Sequence, residues 1–439
     1  MQLNHTHDAT RKSWLASANA AGCDFPIQNL PFAVFRRKGS KEAFRGGVAI
    51  GDQIVDLAAR GNTPLLKGLA ARAARACAQP ALNDFFTMGP DAWSALRHGL
   101  FALLEDTASP ATIKAMRACL VPQADVEYAV PARIGDYTDF YTSIHHALNV
   151  GKLFRPEDPI GANFSWIPIA YHGRVSSIGV SGQKFRRPMG QSMAPGAAAP
   201  VYGACARLDY EMELGVFIGT GNKQGEQIKV DDAGKHVFGI CLLNDWSARD
   251  IQFWEMAPLG PFLGKNFCTT ISPWIVTMEA LAPYRQAWTR GADEPQPLAY
   301  LESKDNRADG ALDIQLEVSI ESAQHRSKGQ APQKLSHTSF RYQHWTVAQM
   351  VAQHTVGGCN LQTGDLLGTG TISGPTEPEA GAIIELAQGG RKPIAFANGE
   401  SRTFLLDGDA VVFKGWCEKA GHARIGFGEC RGEVLPAIG

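Results

Sequence analysis

Leu208-Asp-Tyr-Glu-Met-Glu-Leu-Gly-Val-Phe-Ile218 alternates polar and apolar residues. A period of two predicts a β-strand with one buried face. The apolar face carries Tyr210, Met212, Leu214, Val216 and Ile218, and the opposite face carries Asp209, Glu211 and Glu213. Glutamates at positions i and i+2 lie ~7 Å apart and repel each other. Such a pair indicates a solvated face, the commoner case for an isolated Glu-x-Glu, or a site for a hard cation such as Mg²⁺ or Ca²⁺.

Length and composition predict two domains rich in β-structure. The chain has 439 residues, 44% of them hydrophobic, and its 46 glycines and 25 prolines indicate many turns and few long helices. A formal charge of −1 argues against nucleic-acid or anionic-membrane partners. The polar start, the absence of an apolar run near ~18 residues, and nine cysteines without a Cys-x-x-Cys pair predict a cytoplasmic protein with reduced thiols.

The order of patterns along the chain predicts a domain boundary near residue 124. Short strands are expected at 32–35, 47–50 and 53–57, followed by helical segments from Thr63 to about Leu120. Residues 121–131 resemble a linker, and beyond them short strands alternate with Gly/Pro turns. The predicted domains are therefore residues 1–124 and 125–439.

The segment 135–151 carries an aspartate and two adjacent histidines. Asp136 and Thr138 are plausible N-caps of a short helix. In such a helix Asp139 and His146, seven residues apart, share a face, whereas His145 points about 100° away. His146 is therefore the expected partner of a site around Asp139, although a capping aspartate and a structural histidine are the commoner explanation of this pattern.

A second polar group follows the apolar run 237–243, which predicts a buried strand. Asp245 lies at the end of this strand, and Arg249 and Gln252 follow at helical spacing. An ordinary surface Asp–Arg pair would also explain the pattern. Lys265 lies in an apolar loop rich in glycine and proline, where it could hold a developing oxyanion or pair with Asp245.

Two further segments lie near the C-terminus. The glycine-rich turn 364–375 lacks the Gly-Lys-Ser/Thr of a phosphate-binding loop. Glu385 lies in the apolar segment 382–387, which predicts a strand. Its carboxylate is expected either on an open sheet face or desolvated as a general base.

These segments together resemble the fumarylacetoacetate hydrolase family. The resemblance rests on ordered blocks that include Asp136-Tyr-Thr-Asp-Phe-Tyr141, Tyr171-His-Gly-Arg174, Asn244-Asp-Trp-Ser-Ala-Arg-Asp250, Leu259-Gly-Pro-Phe-Leu-Gly-Lys265 and Gly370-Thr-Ile-Ser-Gly-Pro375, and the blocks span residues ~30 to 437. It implies a mostly β, α+β fold. A small N-terminal SH3-like barrel would precede a larger C-terminal domain of mixed β-sheets in a β-roll, usually as a homodimer.

The resemblance also assigns roles to residues. It implies a divalent cation, Mg²⁺ or Ca²⁺, with the metal site formed by Asp139, Glu211, Glu213 and Asp245, and with Lys265 and Thr269 beside it. It implies His146 and Glu385 as the catalytic pair and Arg249, Gln252 and Lys265 as the groups that stabilise an oxyanion. The implied substrate contacts are Tyr141, Arg155, Tyr171, Gln252, Met256 and Thr371.

The implied reaction is hydrolysis of a carbon–carbon bond in a β-diketo acid. Fumarylacetoacetate would yield fumarate and acetoacetate, the last step of tyrosine and phenylalanine breakdown. Two positions depart from the family pattern: Cys268 replaces a glycine, and Met256 replaces a tyrosine and lacks its hydroxyl. The alternatives are a related acylpyruvate or other diketo-acid hydrolase, hydratase or decarboxylase, and a non-catalytic binding protein stabilised by a cation.

Overall fold

The N-terminal part of the chain forms an antiparallel sheet. The computed structural model describes residues 2–59 and 65–438. The strands of this sheet are β1 (Phe32–Arg37), β2 (Arg45–Ile50), β3 (Gln53–Asp56), β4 (Leu120–Pro122) and β5 (Val126–Ala129), in the spatial order β4-β3-β2-β1-β5. The first three confirm the sequence prediction. The predicted linker at 121–131 is wrong, because β4 and β5 pair with β3 and β1 at the two edges of the sheet.

Helices fill the interval between β3 and β4, as the sequence predicts. They are α1 (Gly68–Cys77), α2 (Asn83–Phe86), α3 (Pro90–Leu104) and α4 (Pro110–Arg117). Helices α3 and α4 each begin at a proline, whose fixed φ and missing N–H suit the first helical position. The predicted start at Thr63 lies outside the described residues.

The rest of the chain forms several sheets. Its strands are β6 (Tyr137–Phe140), β7 (Ala170–His172), β8 (Ile178–Val180), β9 (Gln183–Arg186), β10 (Met189–Ser192), β11 (Val201–Ala204), β12 (Leu208–Asp209), β13 (Met212–Ile218), β14 (Val237–Asp245), β15 (Ser247–Ala248), β16 (Thr269–Ile271), β17 (Val276–Thr277), β18 (Arg285–Gln286), β19 (Ala311–Leu312), β20 (Gln315–Glu321), β21 (Gln333–Ser339), β22 (Leu366–Gly368), β23 (Ile394–Ala395), β24 (Ser401–Arg402), β25 (Ala410–Cys417) and β26 (Ile425–Leu435). The helices are α5 (Ile144–Phe154), α6 (Arg249–Glu255), α7 (Lys304–Asp309), α8 (Ala323–Lys328), α9 (Val347–Thr355) and α10 (Ile383–Leu386).

Two sheets dominate this part. The central sheet has the order β7-β6-β22-β13-β14-β16-β8, with β17 also paired to β14. A second sheet has the order β21-β20-β25-β26-β9. The chain is therefore a mixed α+β protein built from several sheets. Within the described residues, no helix combines the length and the apolar character needed to cross a bilayer.

The segment 208–218 lies in the middle of the central sheet. Strand β13 pairs with β14 on one side and β22 on the other. Its apolar face packs into the core shared with the second sheet, where the rings of Tyr210 and Phe413 lie 5.8 Å apart. The opposite face is buried too, because Phe217 packs against Phe86 of α2 and the carboxylates face an internal site. The half-exposed strand predicted from the alternation is thus buried on both faces.

Candidate active site

A cavity of about 290 Å³ opens beside the C-terminal end of β6 and the N-terminal end of β13. Its wall combines carboxylates, cations and aromatic rings named in the sequence analysis, but Asp245 and Glu385 are not part of the lining. The lining includes Asp139, Tyr141, His146, Tyr171, Glu211, Glu213, Arg249, Gln252, Met256, Lys265 and Thr371. Arg155 caps the C-terminus of α5 with an exposed side chain and is not part of this lining.

Three buried carboxylates form a cluster at one end of the cavity. One oxygen from each of Asp139, Glu213 and Asp245 lies within 4.8 Å of the others. Asp139 is on β6, Glu213 on β13 and Asp245 at the end of β14. The prediction that Asp139 lies on a helix is wrong, because residues 137–140 pair with β7 and β22 and the helix begins only after Ser143.

The cluster is short of positive charge. The Tyr171 hydroxyl contacts Asp139 Oδ2 at 3.0 Å and Asp245 Oδ2 at 2.9 Å, but its single proton serves only one of them at a time. Asp139 Oδ1 and Glu213 Oε1 are buried without a hydrogen-bond partner among the described residues. Burial, reinforced by the neighbouring carboxylates, raises the pKa of Asp139 and of Glu213 well above the ordinary value.

The donor set fits a hard divalent cation. Buried charges in proteins are paired or coordinate metals, and clustered carboxylate oxygens are what Mg²⁺ and Ca²⁺ prefer. Gly368 on β22 leaves the space for this cluster, because a Cβ there would lie 2.6 Å from Asp139 Oδ1 and 2.9 Å from the Tyr137 hydroxyl. The buried Tyr137 hydroxyl also lacks a partner among the described residues. The cluster therefore has the chemistry and the room for a metal ion.

Glu211 differs from the other carboxylates because two cations hold it. Lys265 Nζ donates to Glu211 Oε2 and, at 2.7 Å, to Asp245 Oδ2, while Arg249 Nη1 donates to Glu211 Oε1 at 2.7 Å. Burial opposes ionisation, but the Lys265 and Arg249 charges outweigh it and hold the pKa of Glu211 below its ordinary value. The role of Glu211 as a metal ligand stays a prediction. Thr269 Oγ1 lies 3.4 Å from Asp245 Oδ1, beside the cluster.

Arg249 occupies the first turn of α6, with Gln252 one turn later. The alternative explanation of this segment, a surface pair between Asp245 and Arg249, is excluded, because Asp245 still belongs to β14 and Arg249 pairs with Asp209 and Glu211. Gln252 Oε1 accepts from Arg249 Nη1 at 3.2 Å. This contact leaves the Gln252 amide N–H groups as donors, and Arg249 Nη2 has no partner among the described residues.

His146 and Glu385 form a buried pair. His146 Nδ1 lies 2.7 Å from Glu385 Oε1. Of the two adjacent histidines, His146 lines the cavity, whereas His145 is only partly buried and lies outside the lining. The role of His146 stays a prediction. Glu385 is on the one-turn helix α10 rather than on the predicted strand, since Ile383–Leu386 closes a helical turn. The Tyr141 ring meets the His146 ring edge-on, with centroids 5.5 Å apart.

Sequence reasoning missed two groups that hold Glu385. Ser373 Oγ contacts Glu385 Oε1 at 2.9 Å and Oε2 at 3.0 Å, and Asn149 Nδ2 donates to Oε2 at 2.8 Å. Asn149 follows His146 by three residues on α5, so helical spacing could have found it. Ser373 lies in the glycine-rich segment 364–375 and carries no such signal. Together with His146, these groups supply hydrogen bonds to a buried carboxylate that would otherwise lack them.

The two departures from the family pattern have different surroundings. Cys268 is fully buried and does not require a positive φ, so cysteine introduces no backbone strain there. Burial raises the pKa of its thiol to about 12. Met256 is 41% exposed at the end of α6 and contributes an apolar surface to the cavity. Among the described residues no disulfide joins two cysteines.

The fold and the site define an enzyme, because one cavity is lined by a histidine that is hydrogen-bonded to a buried glutamate, by two buried cations and by two carboxylates of a metal-competent cluster. Two family models match in order: the Fumarylacetoacetase N-terminal model over residues 28–131 and the Fumarylacetoacetate (FAA) hydrolase C-terminal model over residues 137–435. The chain belongs to the fumarylacetoacetate hydrolase family.

Similar proteins share nearly the whole length of the chain. It is 46% identical to a Homo sapiens protein named fumarylacetoacetase over 428 residues, covering 95% of this chain and 98% of that one. It is 47% identical to a protein of the same name from Caenorhabditis elegans, covering 94% and 97%. The solved fumarylacetoacetate hydrolase from Exiguobacterium antarcticum shares the fold, with a TM-score of 0.50, 16% identity and coverage of 93% and 99%.

Proposed function

We propose that this chain hydrolyses fumarylacetoacetate to fumarate and acetoacetate, the last step of tyrosine and phenylalanine breakdown. One observation carries the proposal: His146, which is paired with Glu385, lines the same cavity as Asp139 and Glu213 of the three-carboxylate cluster. Relatives that share about 45% of their residues over nearly the full chain bear the name fumarylacetoacetase, which supports this substrate.

His146 is the proposed general base. Its Nδ1–H donates to Glu385, which fixes the tautomer and leaves Nε2 to take a proton from water. Glu385 in turn is held by Ser373 and Asn149. The hydroxide adds to the carbonyl carbon next to the substrate's double bond and forms a tetrahedral oxyanion.

Lys265, Arg249 and Gln252 are the proposed donors to that oxyanion. Arg249 lines the cavity, and its Nη2 has no hydrogen-bond partner among the described residues. As the carbonyl re-forms, the carbon–carbon bond breaks and its electron pair leaves with the acetoacetate half as an enolate. A proton on the enolate carbon completes acetoacetate, and the other half leaves as fumarate. Tyr141, Tyr171, Thr371, Met256 and Arg155 remain the proposed substrate contacts.

The carboxylates of Asp139, Glu213 and Asp245 would hold Mg²⁺ or Ca²⁺, with Glu211 and Thr269 as further proposed neighbours. When bound, such an ion acts as a Lewis acid that polarises carbonyl oxygens and stabilises an enolate. The buried oxygens Asp139 Oδ1 and Glu213 Oε1, which have no hydrogen-bond partner among the described residues, support this assignment. Lys265 bridges Glu211 and Asp245 and so places one positive charge beside the cluster.

The test is product analysis. Wild-type protein with Mg²⁺ or Ca²⁺ should deplete the ultraviolet absorbance of fumarylacetoacetate and release fumarate and acetoacetate in equal amounts. His146→Ala should lower kcat at least about 10²-fold, the usual contribution of a positioned general base. Undiminished turnover by His146→Ala would refute the mechanism. Faster turnover of an acylpyruvate than of fumarylacetoacetate would instead support the alternative reaction of the same superfamily.

Three proposals concern the whole protein. We infer that the N-terminal sheet closes as an SH3-like barrel, because its edge strands β4 and β5 are joined by residues 123–125 alone, which span only ~10 Å. The domain boundary near residue 124 stays a prediction, and β5 just beyond it still pairs with the N-terminal sheet. A cytoplasmic homodimer is the proposed state, supported by the family resemblance.

A further inference from the structure

Asp209, which none of the roles above includes, is a fully buried carboxylate behind the cavity. Each of its oxygens accepts two hydrogen bonds. Oδ1 accepts from the backbone N–H groups of Tyr210 at 2.8 Å and Ile383 at 2.8 Å. Oδ2 accepts from Arg249 Nε at 2.9 Å and from the Ile384 N–H at 3.2 Å.

These bonds reach both parts of the proposed machinery. Ile383 and Ile384 are the first residues of α10, the single turn that carries Glu385. Ala382, the N-cap residue of that turn, offers no side-chain acceptor, so Asp209 satisfies N–H groups that would otherwise be left unpaired. Asp209 also accepts a hydrogen bond from Arg249 Nε and so orients the guanidinium. Arg249 Nη1 donates to Glu211, and Nη2 has no hydrogen-bond partner within the described chain.

The hydrogen bonds of Asp209 stabilise the α10 turn, but stability alone does not require an ion pair in this position. Replacing a buried ion pair with well-packed apolar groups is often neutral or stabilising. Residues 208 and 210 on either side of Asp209 belong to the apolar core, so the carboxylate stands alone between two apolar neighbours. The Asp209–Arg249 ion pair has one particular consequence. The Asp209 carboxylate binds both the turn that carries Glu385, the partner of the general base His146, and the oxyanion donor Arg249.

We propose that Asp209 is a positioning residue that keeps the Glu385 turn and the Arg249 guanidinium in a fixed relation to each other. The inference rests on the proposed function for its effect on turnover. It predicts in addition a structural effect on the His146–Glu385 pair that is independent of the substrate.

Asp209→Asn is the informative substitution. The asparagine amide has one oxygen and one NH₂ group, whereas both oxygens of Asp209 face N–H donors. In either orientation the NH₂ group opposes two donors, so the variant loses contacts to α10, to Arg249 or to both. Since the oxyanion contact is made in the transition state, we expect kcat to fall about 10- to 100-fold, the usual effect of a residue that orients a reacting group, with KM within about threefold.

Asp409→Asn is the matched control. Asp409 is 1% exposed and accepts from Arg402 Nε at 2.8 Å, Arg402 Nη2 at 2.9 Å and the Leu406 N–H at 2.8 Å. It is thus another buried aspartate that binds an arginine and backbone N–H groups, but it does not line the cavity. We expect it to lower the thermal unfolding midpoint to a similar degree while retaining kcat.

The second readout is the solvent-exchange rate of the His146 Nδ1 proton, measured by NMR in ¹⁵N-histidine-labelled protein. The signal of this proton is assigned by its absence in His146→Ala. We expect faster solvent exchange of this proton in Asp209→Asn and wild-type behaviour in Asp409→Asn. An unchanged proton in folded Asp209→Asn, or equal losses of kcat in the two variants, would overturn the proposal. A wild type inactive on fumarylacetoacetate would refute the proposed function, and the proton comparison would still decide the role of Asp209.

Discussion

At the scale of single residues, the site depends on how each buried charge is matched. Glu211 has two cationic partners and is stably ionised, whereas Asp139 and Glu213 each keep a buried oxygen without a partner in the described chain. Glu385 is satisfied by one imidazole, one amide and one hydroxyl. Each group of carboxylates has its own proposed role. Glu211 positions Lys265 and Arg249, Asp139 and Glu213 are metal ligands, and Glu385 is the partner of the general base.

Glu385→Gln tests the last of these roles. The amide keeps the size of the side chain but removes the charge that favours a protonated imidazole in the transition state. We expect kcat to fall about 10²-fold while metal affinity stays unchanged, measured by initial rates and by calorimetric titration with Mg²⁺ or Ca²⁺. Glu377→Gln is the control, because Glu377 is exposed and its carboxylate pairs with Lys392 on the surface. Equal kcat in the two variants would contradict the role of Glu385.

At the scale of elements, the proposed metal site is formed by residues of three strands and by the close contact of Gly368 on β22 with the carboxylates. Strands β6, β13 and β14 each bring one carboxylate, and β22 passes between the first two with a glycine at the point of contact. A side chain at residue 368 would occupy the space where the oxygens converge. Steric exclusion therefore explains why residue 368 is a glycine.

Gly368→Ala tests this steric role. The added methyl would lie 2.6 Å from Asp139 Oδ1, so we expect the carboxylate to shift and the affinity for Mg²⁺ or Ca²⁺ to fall at least about tenfold. Gly203→Ala on β11, where a Cβ meets nothing within 4 Å, should bind the ion as the wild type does. Calorimetry on both variants decides, and wild-type affinity in Gly368→Ala would show that the cluster is not the metal site.

The elements also show what sequence could predict. Local patterns correctly located the strand ending at Asp245 and the helix of Arg249 and Gln252. They selected His146 from a helix that was expected to include Asp139, and His146 lines the cavity although Asp139 lies on β6. They failed at Asp139 and Glu385, because tertiary pairing with β7 and β22 extends residues 137–140 and a single helical turn has no period to detect. They also gave no sign that Phe86 would cover the second face of β13, since that contact joins segments far apart in the chain.

At the scale of the whole molecule, stability should respond to acid through buried histidines. Burial, followed by the Arg290 charge, lowers the pKa of His344 to about 3. Because an unfolded histidine titrates near 6.5, the unfolded state binds the proton first as the pH falls. Stability is therefore unaffected by this group above about pH 6.5 and is progressively lost between pH 6.5 and 3, by at most about 1.4 kcal/mol per pH unit.

His344→Gln removes this contribution. We expect the loss of unfolding free energy between pH 6.5 and pH 5 to be smaller than in the wild type, by at most about 2 kcal/mol. Denaturant unfolding at the two pH values measures it, with His5→Gln at an exposed histidine as the control. An identical pH dependence in His344→Gln and the wild type would contradict the proposed burial of a neutral imidazole.

The most direct test of the central claim is the rate of fumarylacetoacetate hydrolysis by metal-depleted protein. The protein is stripped with a chelator and shown by elemental analysis to be free of divalent ions. Its initial rate should then fall at least about 10²-fold, because a bound cation contributes several kcal/mol of charge stabilisation. Adding Mg²⁺ or Ca²⁺ should restore the rate in the wild type but not in Asp139→Asn. An undiminished rate without metal would contradict the account.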